Sequence, residues 1–565
     1  MACAHGAQDK EQQQGLLTLV DPHDGGDGEW LLLDKDAKKI HKLGKDKKPK
    51  KDKDGNELRL GDYLTLACTT DPTTGQCSFI AEQDVTRVGS PAIPAAAGVT
   101  QRILVLLVDN PDPKCGNATA ETSVDALRAA YMGAALDGSG GIAYRAEMCS
   151  YGELRFDVAA HTVLRVVPSC TWTTSACDYS GIYNAAIAAA PAALTAAGSA
   201  YALDSFSHHH IIIKQDVCTW GGLGTFGGNI VWLKANKVAP AGWQVPMQEV
   251  LHNYVLWHSY KYGAEYSDTS SFMGSGPACP NSPELALLQW ATPAVGGDLD
   301  GSSIPLGAVG DTPVMLGATW LRGSGAYIRV RPTWLANYTV AVTGSAGGKN
   351  LYFEARQPKN GDANIGFEHV NMLVVHSVVA YMDNDYATYR SENRTINYIG
   401  ATKASSRYLL AAYRLVAYTG NFTGSQAAIL PVTFCRYATN DTECPTLAGA
   451  FLPRPPAAPS PPPPPPAPSP PPMTPTSPPR PPPSPSPPSP SPPSPPSPRP
   501  PMSPSPPPPN PSPPPKSTKS PTAGKLQREP PMPPFPEDAF GRPPTVRRPP
   551  PRRPPPRRHA PRHRA

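Results

Sequence analysis

Gln248, Glu249, His252 and His258 bring an amide, a carboxylate and two imidazoles into the run Gln-Glu-Val-Leu-His-Asn-Tyr-Val-Leu-Trp-His. Residues four apart share one face of an α-helix, so Gln248 and His252 are expected to face one point with Glu249 beside them. Nitrogen and oxygen donors so arranged suit a transition-metal ion, and a neighbouring carboxylate suits proton transfer from a metal-held water. The spacing is that of a metal-dependent peptidase site whose first imidazole has become an amide. His258 lies six residues beyond His252, and at roughly 100° per residue a continuous helix would swing it about 240° off the ligand face. The helix is therefore expected to end between them. Further on, Tyr-Ser-Asp-Thr-Ser-Ser-Phe-Met-Gly (266–274) supplies a polar turn around Met273.

The elements that must position these residues follow an α/β pattern from Gln101 onward. Ile103 to Asp109, apolar as far as Val108, predicts a buried strand, Ser123 to Met132 an amphipathic helix, and Glu153 to Asp157 a second strand. Tyr183 to Ala197 is Ala-rich and helical, His208 to Lys214 predicts a strand, and Val245 to Trp257 the ligand-bearing helix. Residues 1–98 form a small β-rich leader, with strands expected at Trp30 to Asp34, Glu57 to Cys68 and Ser78 to Ala81. A mixed Lys and Asp run from Lys35 to Lys53 separates the first two and is expected to be a solvated loop. Residues 299–452 are short alternating runs, among them Gly325 to Val330, Tyr338 to Thr343, Leu351 to Ala355, Asn371 to Val379 and Tyr408 to Tyr418. They predict an all-β, sandwich-like module.

The chain has 76 prolines in 565 residues, mostly after residue 452. Proline lacks an N–H and fixes φ, so residues 453–565 are expected to be a disordered, polyproline II-like tail. That tail carries 16 Lys or Arg against three acids, which makes the remainder net negative although the whole chain is +6. Eleven cysteines, none in a C-x-x-C pair, point to disulfides. Sequons at Asn117, Asn337, Asn393, Asn421 and Asn440 are glycosylation candidates and fit the secretory pathway. An extracellular place in a cell wall or matrix is expected, although the first thirty residues show no apolar signal-peptide core. The chain has no apolar run of about 18 residues, so a membrane span is not expected.

Gln248-Glu249-x-x-His252-x5-His258, the preceding Trp220-Gly-Gly-Leu-Gly, the turn from Tyr266 to Gly274, and Asn281-Ser-Pro leading to Trp290 together resemble the gametolysin family of green-algal metzincin metalloproteases. The resemblance spans roughly residues 25–445, with its motifs concentrated in 218–290. It implies an α/β metzincin-like catalytic domain over residues 99–298, with Gln248, His252 and His258 as metal ligands. Glu249 would be the general base and Met273 the floor beneath the metal. Zinc is the implied cofactor, with another divalent transition metal such as copper as the alternative. Gln248 stands where most zincins have histidine, and its neutral carbonyl oxygen is a weaker donor for zinc. Val255 stands where the family pattern has glycine and the backbone turns left-handed, at an expected cost of about 1–2 kcal/mol. Extending the helix would avoid that strain and carry His258 out of reach.

The expected function is a secreted endopeptidase that degrades or remodels cell-wall or matrix glycoproteins. The alternative is a degenerate homologue with a structural or wall-binding role. Residues 1–98 are a candidate prosegment. The Arg-rich end, Arg547 to Arg564, fits an acidic polysaccharide better than nucleic acid. The triplet His208, His209 and His210 is expected to be structural. Cys115 is expected in a disulfide.

Overall fold

Alternate residues of the strand Ile103–Asn110 enter two different cores. Ile103, Val105 and Leu107 face one, while Leu104, Leu106 and Val108 face the other. That is the period-two signature of a strand covered on both sides. In this computed structural model the described residues run from 11 to 452, apart from 22–27, 45–47, 72–75, 92–93, 116, 173–176, 240–241, 339–346 and 385–393. The Pro-rich tail, including its Arg-rich end, and the sequon at Asn393 lie outside them.

Ile103–Asn110 pairs in parallel with Thr162–Val166 on one side and His208–Ile213 on the other. Ile230–Lys234 continues the parallel order, and Gly222–Gly224 closes it as a short antiparallel edge. The helices Val124–Met132, Gly141–Cys149 and Gln244–His252 bury Leu127, Ile142, Met247 and Leu251 in the first core. Tyr179–Ala196 buries Ile182, Tyr183 and Ile187 in the second. The protein is thus a mixed α/β structure with several sheets and few helices, an architecture compatible with a peptidase domain.

The N-terminal segment forms an antiparallel sheet around Glu11–Val20, which pairs with Glu29–Leu33 and Tyr63–Thr70. Both faces of that sheet are used. Leu17, Leu19, Leu32, Leu64 and Leu66 make a core that also takes in Phe226 and Val255, whereas Val20, Leu31 and Leu33 pack with residues of Tyr179–Ala196. The carbonyl of Leu19 accepts from the N–H of Phe226 at 2.8 Å, and the hydroxyl of Thr18 donates to the carbonyl of Phe226 at 2.8 Å.

Beyond Trp290, Met372–Val379 lies between Lys349–Arg356 and Ile396–Lys403 in a seven-stranded sheet. A second sheet of Val314–Gly317, Ile429–Arg436, Leu415–Thr419 and Arg407–Leu410 shares its core, where the rings of Phe353 and Phe434 meet edge-on at 4.9 Å. The run Tyr408 to Tyr418, expected as one strand, is broken by a turn with Arg414 at φ 48°. The seven-stranded sheet also recruits Ser259–Lys261, which follows His258 directly and pairs in parallel with Ile396–Lys403.

Among the described residues five disulfides form, Cys68–Cys77, Cys115–Cys170, Cys149–Cys279, Cys177–Cys218 and Cys435–Cys444. Cys115 is accordingly in a disulfide, as expected. The histidine triplet is buried inside its strand. The Nδ1 of His209 meets the hydroxyl of Tyr183 at 2.8 Å, that of His210 meets Tyr131 at 2.7 Å, and that of His208 meets Ser207 at 2.9 Å. Burial lowers His208 to about 3, His209 to about 4, and His210 well below its ordinary value. All three are neutral in the fold. Below the unfolded value of 6.5 the unfolded chain binds more protons, so stability is lost as the pH falls toward 4. Each ring is expected to add a slope of about 1.4 kcal/mol per pH unit. The urea midpoint should therefore fall steeply over that range, and His209→Gln should flatten the fall.

Candidate metal centre

The site helix, Gln244–His252, turns Met247, Val250 and Leu251 into the core and presents Gln248, Glu249 and His252 from another face. All three are buried. The edge strand Gly222–Gly224 lies against that face because it has no side chains at two positions. A Cβ on Gly222 would come within 2.7 Å of the Glu249 side chain, and one on Gly224 within 2.5 Å of the Glu249 carbonyl oxygen and 3.1 Å of the His252 Cβ. Backbone cannot yield there as a flexible side chain would. Gly224→Ala is expected to destabilise the fold by about 1–3 kcal/mol through overpacking and to weaken metal retention. Urea titration and metal content of the purified variant measure both.

The helix stops at His252, five residues short of the expected Trp257. Asn253 is the cap, and the N–H of Leu256 reaches back to the carbonyl of Leu251 at 3.3 Å. Val255 takes φ 58°, so this chain adopts the left-handed turn without the glycine. The strain of about 1–2 kcal/mol is offset by burial of the valine against Leu17, Leu19 and Phe226, worth about 1.5–3 kcal/mol. The turn brings His258 back, and its Nε2 lies 3.1 Å from the Nε2 of His252.

Both imidazoles are oriented from behind. The Nδ1 of His252 faces the Leu256 carbonyl at 2.7 Å, and the Nδ1 of His258 faces Glu265 Oε1 at 2.8 Å. Each acceptor requires the proton on Nδ1, which leaves a lone pair on each Nε2. Glu265 is itself fixed, since its Oε1 also accepts from Trp257 Nε1 at 3.0 Å and Tyr260 OH at 2.9 Å. Facing each other at 3.1 Å, the two nitrogens are placed to share one cation. Ligands bonded to zinc at about 2.0–2.1 Å in a tetrahedron stand about 3.3 Å apart, so the donor pair fits a zinc-sized ion.

Glu249 Oε2 is 3.9 Å from His252 Nε2, and burial, then the Asp21 carboxylate, push Glu249 well above the ordinary carboxyl range. Gln248 sits one turn before His252 with no hydrogen bond to its side chain among the described residues. Met273 is fully buried, and its carbonyl accepts from the N–H of Ser259, the residue after His258, at 2.9 Å. The exposed sequon residues Asn117, Asn337, Asn421 and Asn440 are remote in role from this chemistry.

Two residues beside His258, Asp21 and Glu265, lie outside the motifs, and a third, Tyr266, opens the turn that carries Met273. Asp21, Glu265 and Tyr266 surround His258, with Asp21 Oδ2 at 3.6 Å from its Nδ1 and Tyr266 OH at 3.0 Å from its Nε2. Asp21, His258 and Glu265 bring ligand atoms within 4.8 Å of one another. With Glu265 taking the Nδ1 proton, the two acids serve as orienting groups on the far side of the ring.

A second buried network holds the Met273 loop. Asp268 Oδ2 accepts from Ser259 Oγ at 2.7 Å and faces His376 Nε2 at 3.0 Å, and Asp268 lies well below its ordinary value because His376 and these donors outweigh burial. Arg356 donates to the carbonyls of Ser270 at 2.6 Å, Cys279 at 3.0 Å and Pro280 at 3.1 Å.

Paired imidazoles, a buried carboxylate one turn before them and a buried methionine loop are an arrangement compatible with a metallopeptidase. The family model described as gametolysin peptidase M11 matches residues 102–412, and the chain belongs to that family. Membership implies a metal cofactor, typically zinc. No curated protein and no solved structure matches the chain.

Proposed function

We propose that the protein is a secreted metal-dependent endopeptidase that cleaves glycoproteins of a cell wall or extracellular matrix. The convergence of His252 Nε2 and His258 Nε2 at 3.1 Å beside Glu249 carries this reading. His252, His258 and the Gln248 carbonyl oxygen would hold the ion, zinc or an alternative such as copper. When bound, such an ion supplies a Lewis acid that polarises the scissile carbonyl and acidifies water. Glu249 takes the proton of the attacking water and returns it to the departing amine nitrogen as the peptide C–N bond breaks. The family, the disulfides and the Pro-rich tail support the extracellular setting and a hydroxyproline-rich substrate.

The test is the purified full chain with zinc or copper on a hydroxyproline-rich glycoprotein, with and without chelator. Cleavage that ignores the chelator would remove the proposal. The N-terminal sheet acts as a prosegment in this reading, because Thr18, Leu19 and Asp21 reach the strand and rings of the site. Proteolytic separation of residues 1–98 is expected to raise activity at least about tenfold if the leader shields the open ligand position. Unchanged turnover after that cut would argue that the sheet is purely structural.

A further inference from the structure

Tyr266 has no part in the reaction set out above, yet its phenol lies within the donor set. Its oxygen is 3.0 Å from the Nε2 of His258, the nitrogen left unprotonated by the Glu265 contact, and the two rings lie 4.1 Å apart between centroids. The same Nε2 is 3.1 Å from that of His252. The phenol oxygen and the second imidazole thus stand at like distances from the first, close to the edge of about 3.3 Å that separates ligands on a small tetrahedral ion. Tyr266 also has φ 60°, a left-handed backbone that an aromatic residue adopts only at a cost, and such outliers cluster at functional positions. Its ring is swung toward the site by that turn. The chain meanwhile carries an amide in place of the first imidazole, which weakens the donor set.

We propose that Tyr266 is a further metal ligand, which supplies a phenolic oxygen that compensates for the amide of Gln248. The inference rests on the metal-centre reading of the site. Coordination would replace the phenol O–H bond by an oxygen–metal bond, and Asp21 Oδ2, which already accepts from this hydroxyl at 3.0 Å, would take the proton. No oxidation or reduction is involved. A hard, anionic oxygen donor would also move the preference away from zinc toward metals that favour mixed nitrogen and oxygen sites, copper(II) among them.

The experiment compares the full chain with Tyr266→Phe, which keeps the ring and removes only the oxygen. Copper(II) bound to the full chain should show a visible phenolate-to-copper charge-transfer band, and the variant should lack it. Copper and zinc affinities, measured by competition with a chelator, should fall at least about tenfold in the variant. Thermal melting of both proteins in chelator should coincide, which separates ligand loss from a folding defect. A band and affinities unchanged in Tyr266→Phe would overturn this proposal while leaving the metal centre intact. A full chain that binds neither copper nor zinc at one equivalent would overturn the metal centre and this inference together.

Discussion

Replacing Glu249 by Gln is expected to lower kcat by about 10²–10⁴ while the metal remains bound, the size of effect that loss of a general base brings. Glu249 is 2% exposed and held beside the ligand nitrogens without being one of them, so its amide fills the same space and leaves the imidazoles alone. Burial makes its carboxyl hold a proton more tightly than a surface glutamate, which suits a group that must accept one and then give it up. Glutamine can do neither. The measurement is kcat on a peptide substrate together with elemental analysis of the same sample. A variant that retains most of its turnover would show that Glu249 is a neighbour of the chemistry and no participant.

The largest effect on stability belongs to a residue far from the motif. Arg356 is fully buried, forms ion pairs with Asp362 at 3.0 Å and Glu354 at 3.5 Å, and donates to three carbonyls of the segment that carries Met273. Arg356→Met strands two buried carboxylates, and removal of one partner from such a set costs about 3–5 kcal/mol. Those acids already lie above their ordinary values because burial outweighs the guanidinium's pull. Arg356→Lys keeps the charge but not the planar fork that spans Ser270, Cys279 and Pro280, so an intermediate loss is expected. Denaturant titration gives the numbers. A loss below about 1 kcal/mol for the methionine variant would mean that water or rearranged partners replace the guanidinium.

How much of this was legible depended on sequence distance. Ile103 to Val108 is apolar at every position, and so short a run predicts a covered strand, so the element itself was readable although its neighbours in the sheet were not. The ligand helix was equally readable, because four-residue spacing is a property of one helix. Its end was not. Leu256 and Trp257 continue an apolar pattern, but the helix stops at His252 because Val255 is drawn into the core of the N-terminal sheet. The same limit hid Asp21, whose bond to Tyr266 joins residues 245 apart. No local rule links a strand end in the leader to a turn in the catalytic segment. His376 and Arg356 escaped for a like reason, since each occupies an ordinary alternating strand and acquires its role from the loop that lands on it.

The left-handed valine beyond His252 carries a consequence for any matured form of the enzyme. Part of the burial that offsets its strain comes from Leu17 and Leu19. A cut that lets the leader depart would bare that side chain to water at the hinge on which the second imidazole depends. Unmasking and decay would then share one trigger, and the liberated hydrolase would have a short working life with no separate inhibitor to end it.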